Sequence, residues 1–262
     1  MQPLQEIIMQ PERPENNRFA AADWGAQNSQ TFIDYGRYFV PERERQIETI
    51  CALILPHNTP FNILELCCGE GLLARALLER FPTCTVYGYD GSPDMLTHAQ
   101  RQLASFGERF QTRRFDLAAS DWRSPDFPLQ AVVSSLAIHH LDGAQKQQLF
   151  QDVHGMLAPD GVFVIADVIE TAHPLGAEVA ATAWDHAVEQ RALALDANTA
   201  AFEFFQRERW NMYRYFDPDD IDKPSRLLDQ LKWLEAASFG AVDVYWMLAG
   251  HAIFGGWRFE GN

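Results

Sequence analysis

The chain predicts an α/β fold: a mostly parallel sheet covered by helices on both faces, with a helical insert after the fifth strand and an antiparallel finish. Three observations carry this. From Phe61 onward, short apolar runs alternate with helical stretches, the pattern of parallel strands joined by crossovers. Residues 63–73 end an apolar run in an acid, turn through small residues and open directly into a helix. Residues 242–247 and 253–259 flank Ala249-Gly250, a hairpin signal.

Each element follows in order. The first 30 or so residues are polar and proline-dotted and are expected to wrap loosely. Phe32, Tyr35, Tyr38, Phe39, Ile47, Ile50 and Leu53 fall at helix-compatible intervals broken at Pro41, giving two short helices. Strands are expected to end near Leu66, Asp90, Phe115, Leu136 and Ala166, with helices over 72–80, 93–105 and 144–157. Pro159-Asp160-Gly161 reads as the turn into a fifth strand over 162–166. The alternation then stops, and residues 171–215, rich in Ala, Glu and aromatics, read as long helix. A further helix is expected over 226–237. The implied organisation is a helical lead-in (1–60), an α/β core (61–170), a helical cap (171–223) and a closing segment (224–262) that completes the core.

A chain of 262 residues with 47% hydrophobic content fits one such domain with an insertion. Its apolar runs fall short of the roughly 18 residues of a membrane span, and Met1-Gln2-Pro3 lacks a signal-peptide core. Cys51, Cys67, Cys68 and Cys84 have the spacing of neither a disulfide framework nor a zinc site, so a cytoplasmic protein without a metal is expected. A net charge of −15 disfavours broad nucleic-acid binding, and a small-molecule partner is the simpler expectation. A monomer or homodimer would serve.

The glycine turn has the shape of a nucleotide-type pocket. Gly69 and Gly71 admit a ligand close to the backbone, and the helix start offers free N–H groups. Asp90, closing the next apolar run, can accept both ribose hydroxyls of a nucleoside. A dinucleotide fingerprint would need G-x-G-x-x-G; residues 69–74 supply two glycines and a permitted final alanine, and Glu70 would repel a pyrophosphate.

Four motifs in order resemble those of the class I S-adenosylmethionine-dependent methyltransferases, over roughly residues 61–259. Residues 65–71 resemble the family's acidic, glycine-rich loop, and residues 90–96 the segment after its second strand. Asp116 sits where the family places an acid near the adenine amino group, and residues 133–141 resemble its fourth strand and active-site loop. The resemblance implies a Rossmann-like, seven-stranded sheet with an antiparallel last strand, and S-adenosylmethionine as cofactor. Cys67 replaces the usual first glycine, and a cysteine there is expected to avoid positive φ.

In this reading Gly69 and Gly71 take the methionyl part and Glu65 its ammonium, through water. Asp90 fixes the ribose, Met95 packs on the adenine, Asp116 accepts from its amino group and the Leu117 N–H faces a ring nitrogen. Gly91, Ser135 and Tyr38 join the cofactor set, and Arg43 is a candidate to close over the methionyl end. Methyl transfer from a sulfonium is chiefly alignment, with a base only where the acceptor must lose a proton. His139, first, and His251, second, are the candidate bases, each set against a plain loop histidine. His140, Asp167, Trp184, Trp210, Tyr213 and Arg214 are the candidate acceptor-binding residues, although aromatics at helical spacing commonly just pack a cap. The expected function is methylation of a small molecule, with O- or N-methylation favoured. The alternative is a non-methylating S-adenosylmethionine-binding protein. It includes a branch linked to tRNA wobble-uridine modification, in which an arginine placed like Arg214 holds a carboxylated cofactor.

Overall fold

The computed structural model describes residues 26–217 and 221–259. The expectation for the polar start falls largely outside them. Two helices, α1 (Ala26–Phe39) and α2 (Arg43–Ala52), precede the first strand. Seven strands follow: β1 (Phe61–Leu66), β2 (Cys84–Asp90), β3 (Phe110–Arg114), β4 (Leu129–Ser135), β5 (Leu157–Val168), β6 (Gly240–Leu248) and β7 (His251–Trp257). They form one sheet in the order β3-β2-β1-β4-β5-β7-β6. The first five pair in parallel, and β7 runs antiparallel to both β5 and β6. The order reverses between β1 and β4, which opens a crevice at the carboxyl ends of those two strands.

Period-two alternation sends successive strand residues to opposite faces, and each face has its own core. Leu64, Leu66, Val132, Phe163, Ile165 and Phe254 pack with Leu149, Phe150 and Val153 of α5 (Gly143–Met156) and Leu234 of α8 (Leu227–Ala236). Ile63, Ala131, Val133, Val162, Val164 and Ile253 pack on the other face, against Ile47 and Ile50 of α2 and Leu73 and Leu77 of α3 (Leu72–Arg80). Continuous burial along β4 and β5 follows from being covered twice. Between β2 and β3 lies α4 (Pro93–Gln102), started by Ser92, whose hydroxyl accepts from the Met95 N–H, and by Pro93 at its first position.

Two expectations need correction. The fifth strand begins at Leu157, so Pro159-Asp160-Gly161 lies inside its span. Asp160 takes φ 59 there while its N–H donates to the Arg258 carbonyl at 2.7 Å, and the β4–β5 register shifts between Leu129 and Ala131. The local turn and the strand pairing coexist as a bulge. The insert is helical only to Arg207, as α6 (Pro174–Asp196) and α7 (Ala200–Arg207). Arg209 enters the left-handed region at φ 54, and the Asn211 side chain bonds the Ala181 carbonyl and Asp185, so residues 210–215 turn back onto α6.

A third cluster ties this insert to α1 and to the hairpin, through Tyr38, Phe39, Trp184, Val188, Phe205 and Ala249. The hairpin tip is the tight point. Gly250 has φ 75, and a Cβ there would stand 2.3–2.4 Å from the Tyr213 ring. Gly250→Ala is expected to destabilise the fold by about 2–3 kcal/mol through left-handed strain and overpacking; a urea midpoint within error of wild type would contradict that packing. Among the described residues, no helix is long and apolar enough to cross a membrane.

Candidate active site

The loop between β1 and α3 is built from three left-handed residues: Cys67 at φ 55, Gly69 at φ 53 and Gly71 at φ 83. The expectation that Cys67 avoids positive φ is therefore wrong. The Cys68 N–H bonds the Tyr89 carbonyl and the Gly71 N–H bonds the Cys68 carbonyl, and that turn imposes the conformation at a cost of about 1–2 kcal/mol. Gly71 is needed for packing, because a Cβ would meet Leu103 at 2.9 Å and Ala99 at 3.2 Å. Gly69 differs: nothing lies within 4 Å of where its Cβ would be. It borders open space.

Around that opening the carboxylates gather. Glu65, 2% exposed, has its Oε2 buried with no hydrogen-bond partner, while the Ala74 N–H of α3 supports the group. Burial, opposed by Arg43 and reinforced by Asp90, pushes Glu65 up to about 8. Asp90 accepts from the Gly69 N–H and the Ser92 N–H, both at 2.8 Å, which ties the glycine loop to the start of α4. This is the bland strand-end role, reinforced by the Gly91 N–H, yet the carboxylate keeps lone-pair capacity for a further donor. Gly91 is exposed beside it, and Met95 is buried in the first turn of α4. Asp116 is exposed and accepts from the Ala118 N–H at 2.9 Å, and Leu117 is buried next to it. Ser135 ends β4, and its Oγ accepts from Arg43 Nη1 at 2.5 Å. Arg43 is thus inside the site, with Glu65 and Glu70 as its electrostatic neighbours.

The rim beyond β4 holds a denser cluster. Leu136 takes φ 56, a second strained residue at a neighbouring strand end, and a short 3-10 turn follows over Ile138–His140. His139 is buried, with Nδ1 2.5 Å from Asp167 Oδ1 and Nε2 3.3 Å from Asp222 Oδ1. Burial disfavours its charge, but the two carboxylates outweigh that and push it up to about 10. An imidazole that already holds its proton at neutral pH does not abstract another, so the geometry argues against His139 as the base. His251 fails in the opposite sense. Buried, with Nδ1 2.9 Å from the Ala249 carbonyl, it is pulled down to about 4 by burial and is a weak base.

The cap residues named from sequence are mostly committed elsewhere. The Tyr38 hydroxyl donates to Asp196 at 2.6 Å, which ties this turn of α1 to the end of α6. Trp184 Nε1 donates to the Phe39 carbonyl at 2.7 Å, with its ring edge-on to His251. The Tyr213 hydroxyl lies 2.6 Å from the Ile169 and Gly250 carbonyls and holds the hairpin to the insert. Trp210 packs on Phe39 at 5.1 Å, and Arg214 Nε and Nη2 both donate to Asp185 Oδ2 at 2.7 Å. Asp167 bonds the His139 and Val168 N–H groups besides the His139 ring, which leaves it little for an acceptor. His140 is half-buried, with Nδ1 3.1 Å from Asp222 Oδ1.

Sequence reasoning missed Asp222 and Lys146. Asp222 follows an acidic stretch that reads as solvated linker. Lys146 looks like a surface position of α5, yet it is buried and donates to the Lys223 carbonyl at 2.5 Å and Ser225 Oγ at 2.8 Å. Only its helical register signals this, since Leu149, Phe150 and Val153 follow it three, four and seven positions on.

Comparison with known proteins agrees with this geometry. Residues 63–161 match the family model described as "Methyltransferase domain". This stretch, somewhat over a third of the chain, is similar to methyltransferase domains. A trans-aconitate 2-methyltransferase of Acidovorax ebreus is 32% identical over 165 residues, 60% of this chain and 60% of that relative. One from Streptomyces coelicolor is 36% identical over 113 residues, 42% of this chain and 35% of the relative. The chain thus spans less than two thirds of the length of the curated relatives it matches. In fold, the chain resembles an O-methyltransferase family protein from Burkholderia thailandensis (TM-score 0.59, 15% identity, 90% of this chain and 61% of that one). It also resembles Haemonchus contortus phosphoethanolamine N-methyltransferase 2, solved with S-adenosyl-L-methionine (TM-score 0.57, 17% identity, 86% and 45% covered). The domain match contains Glu65, the glycine loop, Asp90, Asp116, Ser135, His139 and His140, whereas Asp167, Asp222 and the cap lie beyond it.

Proposed function

We propose that this chain is an S-adenosylmethionine-dependent methyltransferase acting on a small-molecule acceptor, by O-methylation of a carboxylate. The observation that carries the cofactor is the orphaned Glu65 Oε2, together with the open space at Gly69 in the loop that follows its strand. A buried acceptor without a donor is costly, and an ammonium group would complete it. Arg43 would take the cofactor's carboxylate, Asp90 its ribose hydroxyls, and Met95, Asp116 and Leu117 its adenine. When bound, S-adenosylmethionine supplies an electrophilic methyl group, and the chain's task is to align an acceptor with it and exclude water.

The acceptor class follows from the histidines. With His139 holding its proton and His251 a weak base, the rim suits a nucleophile that is already anionic at neutral pH. The relatives named for trans-aconitate, a small carboxylic acid, support the same choice. The carboxylated-cofactor reading loses its anchor, since Arg214 is held by Asp185. A cytoplasmic site of action and a monomer or homodimer remain our working expectations. The test is release of S-adenosylhomocysteine with trans-aconitate, other small carboxylic acids and small amines. Release with acids and recovery of a methyl ester supports the proposal; release with amines alone would move the reaction to nitrogen.

Glu65 gives a pH prediction. Raised to about 8, it is mostly protonated at pH 6 and cannot pair with an ammonium there. Ionisation as pH rises should increase S-adenosylmethionine affinity, by at most about ten-fold per pH unit, and the rise should flatten above pH 8. In Glu65→Gln the slope should vanish; an equal slope in both proteins would assign it to another group.

A further inference from the structure

We propose that His139, His140 and Asp222 form a binding site for a divalent transition-metal ion of the zinc class, on the rim beside the cofactor crevice. His139 Nε2 and His140 Nδ1 stand 3.3 and 3.1 Å from the same oxygen, Asp222 Oδ1, and the three ligand atoms lie within 4.8 Å of one another. An ion bound tetrahedrally at about 2.0–2.2 Å separates its ligand atoms by roughly 3.3–3.6 Å, so small adjustments suffice. The donor set, two imidazoles and a carboxylate, suits zinc and its neighbours better than magnesium or calcium.

The support behind these residues is of the kind metal-binding histidines have. Asp167 holds His139 Nδ1, which fixes the ring and directs Nε2 at Asp222. The segment carrying Asp222 is pinned: the Lys223 N–H donates to the His139 carbonyl at 2.7 Å, and Lys146 grips the Lys223 carbonyl and Ser225. His140 and Asp222 are about a quarter exposed, so the open side can take water or a ligand oxygen as a fourth donor. The residues lie 82 positions apart, which is why the sequence shows no metal spacing.

The inference rests on the geometry of this cluster and is tested without activity. Full-length protein stripped with a chelator is titrated at neutral pH with Zn²⁺ by calorimetry and with Co²⁺ by visible absorption. One equivalent should bind, with cobalt d–d bands and no thiolate charge-transfer band, which separates the site from Cys67 and Cys68. His140→Ala and Asp222→Asn should each weaken binding by at least about ten-fold, with near-UV circular dichroism confirming that each is folded. Should Asp222→Asn lose its fold, His140→Ala decides alone, since its ring is about a quarter exposed at the rim. Absence of stoichiometric binding, a thiolate band, or unchanged affinity in a folded His140→Ala overturns the proposal.

Discussion

Asp90→Ala is expected to lower S-adenosylmethionine affinity by about ten-fold to over a hundred-fold, the loss of a charge-assisted bidentate contact worth about 1.5–3 kcal/mol. The structure adds a second route to the same loss. Asp90 accepts from the Gly69 and Ser92 N–H groups, so its removal also frees the glycine loop from the start of α4. Asp90→Asn separates the two effects: it keeps one carbonyl acceptor, and should retain more of the loop geometry than of the ribose contact. Calorimetry on both variants measures this, and binding unchanged from wild type in Asp90→Ala would remove Asp90 from the site.

Asp167→Ala is expected to be the most damaging change to stability, at about 3–5 kcal/mol. Asp167 is 3% exposed and accepts from the His139 ring, the His139 N–H and the Val168 N–H. Without it, two buried backbone donors lose their acceptor and the His139 imidazolium keeps only Asp222. The urea midpoint should fall steeply while the denaturant slope stays near wild type. A loss below about 1 kcal/mol would mean that water or a shifted neighbour satisfies these groups.

The sheet was legible because its signals are local and periodic. Alternating apolar runs named the strands, Leu72–Arg80 was bounded correctly by its glycine turn and basic end, and Ala249-Gly250 marked the hairpin. The cofactor side was equally open to reading, since Glu65, Gly69, Gly71 and Asp90 lie within 26 positions of one another. What escaped depends on contacts distant in sequence. Cys67 is held at positive φ by β2, not by its own preference. Tyr38, Trp184 and Tyr213 look like pocket aromatics, but their polar ends are taken by Asp196, Phe39 and Gly250. The charge state of His139 is set by Asp167 and Asp222, from strand five and from the segment before α8.

The central claim is that the crevice between β1 and β4 holds S-adenosylmethionine. Parallel calorimetric titrations with S-adenosylmethionine, S-adenosylhomocysteine and a nicotinamide dinucleotide test it directly. The account predicts saturable binding of the first two at one site per chain, weakened in Asp90→Ala, and no binding of the dinucleotide. Binding of the dinucleotide instead, or no binding of either sulfur ligand to the folded chain, would contradict it.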